Sequence, residues 1–199
     1  MPGSSLWLVP PEDSELYKAI HDLIINHVPS LYTGTIPQFT PHITLTSDVT
    51  VPESGPQQWL DGIQIPDTKE LKVAVRDVEV GSIFFKKITM RCDKTPELCQ
   101  LAASCRAAGV QGLDAQGAQK WAEEQYLPHC SLISSLPGDE VTAKLDAVNK
   151  TVREAKRHYP DSHTAKGGLI LLVSTHKPIE EWAPIATRQL PGMEWTWQT

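Results

Sequence analysis

One short pattern occurs twice in the sequence and limits what the chain can fold into. Residues 41–45 read PHITL and residues 128–132 read PHCSL, so proline, histidine, a hydroxyl residue and leucine recur at the same spacing. Each copy follows an apolar stretch and a predicted helix that starts near a proline. Pro11 lies 31 positions before the first histidine, and Pro96 lies 33 positions before the second. A repeat of this length predicts two related lobes, each carrying one histidine strand.

The rest of the chain mixes strands and helices without the strict alternation of a doubly wound fold. Alternating apolar residues predict strands, and apolar stripes at helical spacing predict helices. We therefore expect an α+β fold of two pseudo-symmetric lobes around a central cleft, each an antiparallel sheet with flanking helices, in one bilobal domain over residues 1–199. The predicted strands are 5–9, 39–47, 71–75, 84–92, 126–134 and 169–174, and the predicted helices are 13–27, 95–105 and 139–156.

The charge of the chain restricts its partners. The formal net charge is −6, whereas a protein that binds a long polyanion usually presents a basic face. We therefore expect no long nucleic acid as a partner, whereas small anionic ligands are compatible with this charge. The first residues lack a basic and apolar signal peptide, and the longest apolar run, 169–173, is too short to cross a bilayer. The sequence thus predicts a soluble cytoplasmic protein with no membrane partner, acting as a monomer.

The cysteines argue against a metal site. Cys92, Cys99, Cys105 and Cys130 form no CxxC pair, so a zinc knuckle is not expected, and a reducing compartment favours free thiols. Gly-rich dinucleotide and Walker patterns are absent from the sequence. We expect neither a metal nor a cofactor.

The two histidine motifs suit phosphate-ester chemistry. Side chains alternate along a strand, so His42 shares a face with Thr44, and His129 shares a face with Ser131. Of two imidazoles across a cleft, a neutral one can deprotonate water and a protonated one can donate to a leaving oxygen. The two hydroxyls can donate hydrogen bonds to phosphate oxygens. This set of groups favours strained cyclic phosphates as substrates.

The pattern alone leaves other readings open. The chain has seven histidines, and a hydroxyl residue two positions later also arises by chance, so two unrelated structural histidines are an alternative. A zinc enzyme is another, although no third ligand has convincing spacing. The shared proline and leucine and the matched helices favour a catalytic pair.

With these motifs the chain resembles the two-histidine (2H) phosphoesterases, which are defined by paired H-x-T/S tetrads in two lobes. Within them it is most similar to the plant- and fungal-type cyclic nucleotide phosphodiesterases. The similarity extends beyond the tetrads to SLWLVP at 5–10, GSIFFKK at 81–87, KTPEL at 94–98, YLPHCSL at 126–132 and EEWAPIA at 180–186.

The resemblance implies an activity and a site. It implies metal-independent hydrolysis of ADP-ribose 1″,2″-cyclic phosphate to the 1″-phosphate and of nucleoside 2′,3′-cyclic phosphates to 2′-phosphates, the chemistry of tRNA-splicing by-products. The resemblance implies that His42 and His129 are the catalytic residues and that Thr44 and Ser131 contact the phosphate. For ring opening, we assign His129 as the base that activates water and His42 as the acid. Exchanging these two roles leaves the hypothesis otherwise unchanged.

One position departs from the family. Relatives often carry an aromatic residue three positions beyond the tetrad hydroxyl, where this chain has Ser134. The candidates that would contact the substrate instead are Trp7, Phe84 and Tyr126, although aromatic residues in strands also pack in the core.

Two alternative functions remain at this point. One is RNA-end processing within the same superfamily, by a 2′-5′ ligase-like or 3′-end-trimming enzyme. The other is a module that binds cyclic phosphates without cleaving them. Comparing the turnover of a mononucleotide 2′,3′-cyclic phosphate with that of an oligonucleotide would identify the first. Replacement of His42 or His129 by alanine that mainly alters affinity would identify the second.

Overall fold

A single sheet organises the part of the chain that the computed structural model describes, residues 3–51, 55–81, 88–133 and 138–198. Its nine strands are β1 Ser4–Val9, β2 Ile43–Val49, β3 Lys72–Val80, β4 Ile88–Cys92, β5 His129–Ile133, β6 Thr164–Lys166, β7 Leu169–Ser174, β8 Pro184–Gln189 and β9 Glu194–Trp197. Their order across the sheet is β6-β9-β3-β4-β5-β2-β1-β7-β8. All neighbours are antiparallel except β3 and β9, which run parallel.

Helices flank this sheet. In the described ranges the α-helices are α1 Glu15–Asp22, α2 Pro56–Gly62, α3 Pro96–Gly109, α4 Ala115–Glu124, α5 Gly138–Ala143 and α6 Leu145–His158. A π-helix spans Leu23–His27, and short 3-10 turns span Pro29–Leu31, Pro160–His163 and Ile179–Glu181. None of the described helices is long and apolar enough to cross a membrane.

The predicted α+β class is confirmed, and the two predicted lobes correspond to two halves of one sheet. One half contains β6, β9, β3, β4 and β5, and the other contains β2, β1, β7 and β8. In the described part of the chain, Ile43 opposite Cys130 is the residue pair that joins β2 to β5 across the boundary. The sheet is therefore continuous, while the pseudo-symmetry of its halves and the single-domain assignment stay predictions.

The two histidine strands begin later than predicted, at Ile43 and His129. Pro41 and Pro128 come just before, and proline has no N–H to donate to a strand ladder. The carbonyl of Pro128 still accepts a hydrogen bond from the Cys92 amide at 3.0 Å. Each proline therefore marks the point where the chain enters the sheet.

Two predicted helices are interrupted. The helix expected over 13–27 is α-helical only to Asp22 and continues as the π-helix. The helix expected over 139–156 breaks at Lys144, whose φ of −110° and ψ of 7° are not helical. The ammonium of Lys144 donates to the carbonyl of Leu31, a contact between distant segments that local periodicity does not reveal.

Two other predictions agree closely with the structure. Strand β7 has the predicted bounds, 169–174. Helix α3 begins as predicted: the Thr95 hydroxyl accepts a hydrogen bond from the Leu98 amide at 3.2 Å, and Pro96 takes the first helical position. The cap satisfies an amide that the helix itself leaves unpaired.

Candidate active site

The boundary between the two halves of the sheet positions the candidate site. Ile43 and Cys130 face each other there and are both buried. Because side chains alternate along a strand, the residues on either side of this pair project to the opposite face of the sheet.

Four side chains of that face form a rectangle. Since β2 and β5 are antiparallel, the register around the boundary pair places His42 beside Ser131 and Thr44 beside His129. The histidines occupy one diagonal and the hydroxyls the other. Diagonal neighbours in a sheet lie about 7–8 Å apart at their Cα atoms, so the two imidazoles lie close to one another on the same face.

The same kind of hydrogen bond to a backbone carbonyl holds both imidazoles. The Nδ1 atom of His42 lies 2.6 Å from the carbonyl oxygen of Thr40, and Nδ1 of His129 lies 2.8 Å from the carbonyl oxygen of Leu127. A carbonyl only accepts hydrogen bonds, so Nδ1 carries the proton in each neutral ring. The Nε2 atom of each neutral ring is then the one that can accept a proton.

The two histidines differ in burial. His42 is 9% exposed, whereas His129 is half-buried. The pKa of His42 is lowered to about 4, mainly by burial and in addition by the nearby His129, against the opposing effect of the Thr40 carbonyl. His42 is therefore neutral at pH 7 in the free protein.

Trp7 covers the ring of His42. The two ring centroids are 3.8 Å apart and the planes differ by 11°, a parallel stack. Trp7 lies opposite Thr44 in the pairing of β1 with β2, is 3% exposed, and has Trp182 packed edge-on at 5.6 Å. Phe39 also meets His42, edge-on at 6.0 Å. Aromatic rings thus surround His42.

A cavity of about 370 Å³ opens over this face of the sheet. Six of the seven predicted site residues line it: Trp7, His42, Thr44, Tyr126, His129 and Ser131. Phe84, the seventh, lies outside the described residues, as does Ser134. The volume of the cavity is in the range of small-molecule sites.

Tyr126 reaches the cavity from the side of β5. It is 4% exposed, and its ring lies 5.4 Å from that of Trp121. Burial is the main cause that raises the pKa of its phenol well above the usual value. The phenol oxygen has no hydrogen-bond partner among the described residues.

Several cavity residues were not predicted from the sequence. They are Phe39, Trp121, Gln125, Leu127 and Trp182. Trp182 belongs to the EEWAPIA stretch that carries part of the family resemblance, which was the available signal. Trp121 and its neighbours reach the cavity because α4 packs on α3, which no local pattern indicates.

The four cysteines are buried free thiols, as predicted. Burial raises the pKa of Cys105 and of Cys130 to about 12. Among the residues that the structure describes, no three His, Cys, Asp or Glu side chains converge as a metal site would require.

Comparison with known proteins identifies relatives over nearly the whole chain. The family described as cyclic phosphodiesterase-like proteins matches residues 1–190. A protein of Phaeosphaeria nodorum named 2′,3′-cyclic-nucleotide 3′-phosphodiesterase is 34% identical over 196 residues, which cover 96% of this chain and 100% of the relative. Proteins with the same name from Neurospora crassa and Yarrowia lipolytica are 35% identical over 215 residues and 28% identical over 219 residues. The first covers 96% of this chain and 100% of the relative, and the second covers 94% and 99%.

Proposed function

The chain belongs to the family of cyclic phosphodiesterase-like proteins and is a cyclic phosphodiesterase; from this premise we propose its substrates and mechanism. It opens nucleoside 2′,3′-cyclic phosphates to 2′-phosphates and ADP-ribose 1″,2″-cyclic phosphate to the 1″-phosphate. The diagonal placement of His42 and His129 in one cavity is the observation that carries the proposal. The names of the fungal relatives support the first substrate class and cleavage at the 3′ oxygen.

The four side chains have distinct roles in this mechanism. The Nε2 atom of His129 takes a proton from a water molecule as the water oxygen attacks phosphorus. The P–O3′ bond then breaks while Nε2 of His42 donates a proton to the departing O3′ oxygen. Each proton transfer contributes roughly 10²- to 10⁴-fold in rate. Thr44 and Ser131 donate hydrogen bonds to the non-bridging phosphate oxygens and stabilise the charge that develops there.

His42 must gain a proton before it can act as the acid. Its pKa of about 4 makes it neutral in the free protein. A bound phosphate anion favours the charged form of a nearby imidazole, so we propose that substrate and proton bind together. The stacked indole of Trp7 supports this form through a cation–π interaction.

Proton uptake tests this step. Calorimetry with adenosine 2′-phosphate in buffers of different ionisation enthalpy should show about one proton taken up near pH 7, and the NMR signal of His42 should titrate at higher pH in the complex. If His42 stays neutral in the complex, the acid and base roles exchange between the two histidines.

The burial of Trp7 suggests a role different from the predicted contact with the nucleoside. His42 covers one face of the indole, and only 3% of Trp7 is exposed. We therefore propose that Trp7 positions the His42 ring.

Metal independence follows from the same set of groups. Side chains alone supply an acid, a base and ligands for the phosphate oxygens, so the proposed reaction requires no Lewis acid. Activity should survive extensive dialysis against EDTA and should not increase on addition of Zn²⁺ or Mg²⁺. A chelator-sensitive activity that metal restores would overturn this part.

Product analysis tests the function directly. Purified protein is incubated with the four nucleoside 2′,3′-cyclic phosphates, with ADP-ribose 1″,2″-cyclic phosphate and with an oligonucleotide ending in a cyclic phosphate. We expect 2′-phosphates, the 1″-phosphate and slower turnover of the oligonucleotide, because a net charge of −6 disfavours a long polyanion. A 3′-phosphate product would overturn the assigned cleavage position, and a preference for the oligonucleotide would favour RNA-end processing.

Monomeric state and cytoplasmic location complete the proposal. Light scattering of the purified protein and fluorescence imaging of the tagged full chain test them.

A further inference from the structure

A second set of side chains that the proposed mechanism does not use also lines the cavity. They belong to the end of α4 and the residues leading into β5, from Trp121 to Leu127. We propose that this segment forms the subsite for the nucleobase of the substrate, with Trp121 as the stacking residue. This inference rests on the proposed function.

Trp121 has the geometry of a stacking platform. The guanidinium carbon of Arg106 lies 4.1 Å from the centroid of its ring and covers one face. The indole is half-buried and lines the cavity, and the ring of Tyr126 is tilted against it at a centroid distance of 5.4 Å. A planar base placed on the side of the indole away from Arg106 would complete a sandwich with the cation behind it.

Arg106 also fixes where this platform lies relative to the phosphate. Its Nη1 atom donates to the hydroxyl of Thr46 at 3.1 Å. Thr46 lies two residues beyond Thr44 on β2, which places it about 7 Å further along the strand. Arg106 therefore links the Trp121 platform to the strand that carries Thr44.

Two neighbours of Trp121 suit a nucleobase. Leu127 lines the cavity with 64% of its surface exposed, a large apolar side chain left open to solvent. Gln125, also exposed and lining the cavity, carries an amide that both donates and accepts hydrogen bonds, as the edge of a base requires. The carbonyl of Leu127 also holds His129, so the base subsite adjoins the catalytic strand directly.

The aromatic rings around His42 are less suited to this role. Trp7 has His42 on its face and Trp182 against its edge, and Phe39 packs edge-on against His42. These rings enclose the catalytic imidazole. A base stacked among them would have to displace one of these contacts.

A base-less substrate separates this inference from the proposed function. We would measure kcat and KM for nucleoside 2′,3′-cyclic phosphates and for 1-O-methylribose 2,3-cyclic phosphate, which keeps the reacting ring and lacks the base. The variants are Trp121→Leu, Trp121→Phe and Leu127→Ala. The matched control is Ile185→Ala, which shortens another exposed apolar residue, on β8.

Trp121→Leu should raise KM for the nucleoside substrates by roughly 5- to 150-fold, the range of base–aromatic stacking, and leave kcat nearly unchanged. Trp121→Phe should retain most of the affinity, and Leu127→Ala should raise KM by roughly two- to tenfold. Turnover of the base-less substrate should be the same in all variants and the control.

Equal losses on both substrates, or no loss on either, would overturn the base subsite. So would a wild-type protein that processes the base-less substrate as efficiently as the nucleosides. In each of these outcomes hydrolysis itself persists, so the proposed function survives. Leu127→Ala, at an exposed position, keeps the test valid if Trp121→Leu fails to fold.

Discussion

The His42 side and the His129 side of the site share one backbone design and differ in their surroundings. In both, a proline precedes the histidine, and Nδ1 bonds to the carbonyl two residues earlier, at 2.6 Å on one side and 2.8 Å on the other. His42 is nevertheless buried against Trp7, whereas His129 is half-buried.

A repeated motif can in this way place two histidines in unlike environments. The shared hydrogen bond holds the two rings alike, while burial keeps the His42 imidazole neutral in the free protein. In the proposed mechanism the bound substrate has to overcome this effect before His42 can act as the acid. The predictions that follow test whether the two sides contribute equally to the rate and how burial sets the charge of His42.

The largest expected effect is loss of either imidazole. His42→Ala and His129→Ala should each lower kcat by roughly 10²- to 10⁴-fold, and the double variant should lose less than the product of the two because the pair acts as a unit. Steady-state kinetics with a nucleoside 2′,3′-cyclic phosphate measures this, with His158→Ala, at the exposed end of α6, as the control. A change confined to substrate affinity would instead identify a binding module.

Removing one hydroxyl should have the next largest effect. Thr44→Val and Ser131→Ala each delete a proposed donor to the phosphate oxygens while nearly preserving shape. By analogy with an oxyanion-hole donor, kcat should fall by about 10²-fold for each. Comparable losses would show that the two sides contribute equally to phosphate binding in the transition state. A loss at one side only would contradict the paired arrangement.

Acid should destabilise the fold through His42. Its folded-state pKa of about 4 lies below the ordinary value of 6.5, so the unfolded chain takes up the proton first. The stability from the neutral ring is complete above about pH 6.5 and declines as the pH falls towards 4, by about 3 kcal/mol. Urea unfolding at pH 7, 5.5 and 4.5 measures the slope. His42→Gln should flatten the slope and His158→Gln should not; an unchanged slope in His42→Gln would refute the assignment.

The smallest effect is expected at the ring behind His42. Trp7→Leu removes the stacked indole, and kcat should fall by roughly 2- to 30-fold as the charged imidazole loses a cation–π partner. Trp7→Phe should restore most of the rate. An NMR titration of His42 in the ligand complex separates this role from packing alone: the pKa should be lower in Trp7→Leu than in the wild type.

Local signals in the sequence predicted the fold class and much of the site. Neighbouring residues alone indicate the Thr95 cap, the continuous apolar run of β7 and the paired motifs. The four tetrad side chains line one cavity. Alternation alone was enough to place His42 with Thr44 and His129 with Ser131.

Features made by distant contacts could not be predicted in this way. Lys144, at the helix break, donates to the carbonyl of Leu31, and Trp121 packs against Arg106 of another helix. The proline of each motif comes before the strand, so two strands begin later than predicted. The burial of His42 likewise involves Trp7 on another strand.

A single backbone pair, Ile43 with Cys130, couples the two halves of the sheet beneath the cavity in the described structure. With so short a seam, the width of the cleft depends on side-chain packing more than on ladder hydrogen bonds. A ligand that contacts both halves links them noncovalently across that seam and should make the whole sheet more rigid. Inhibitors that contact only one half would not have this effect, whereas compounds that mimic the five-coordinate phosphorus and contact both halves would have it.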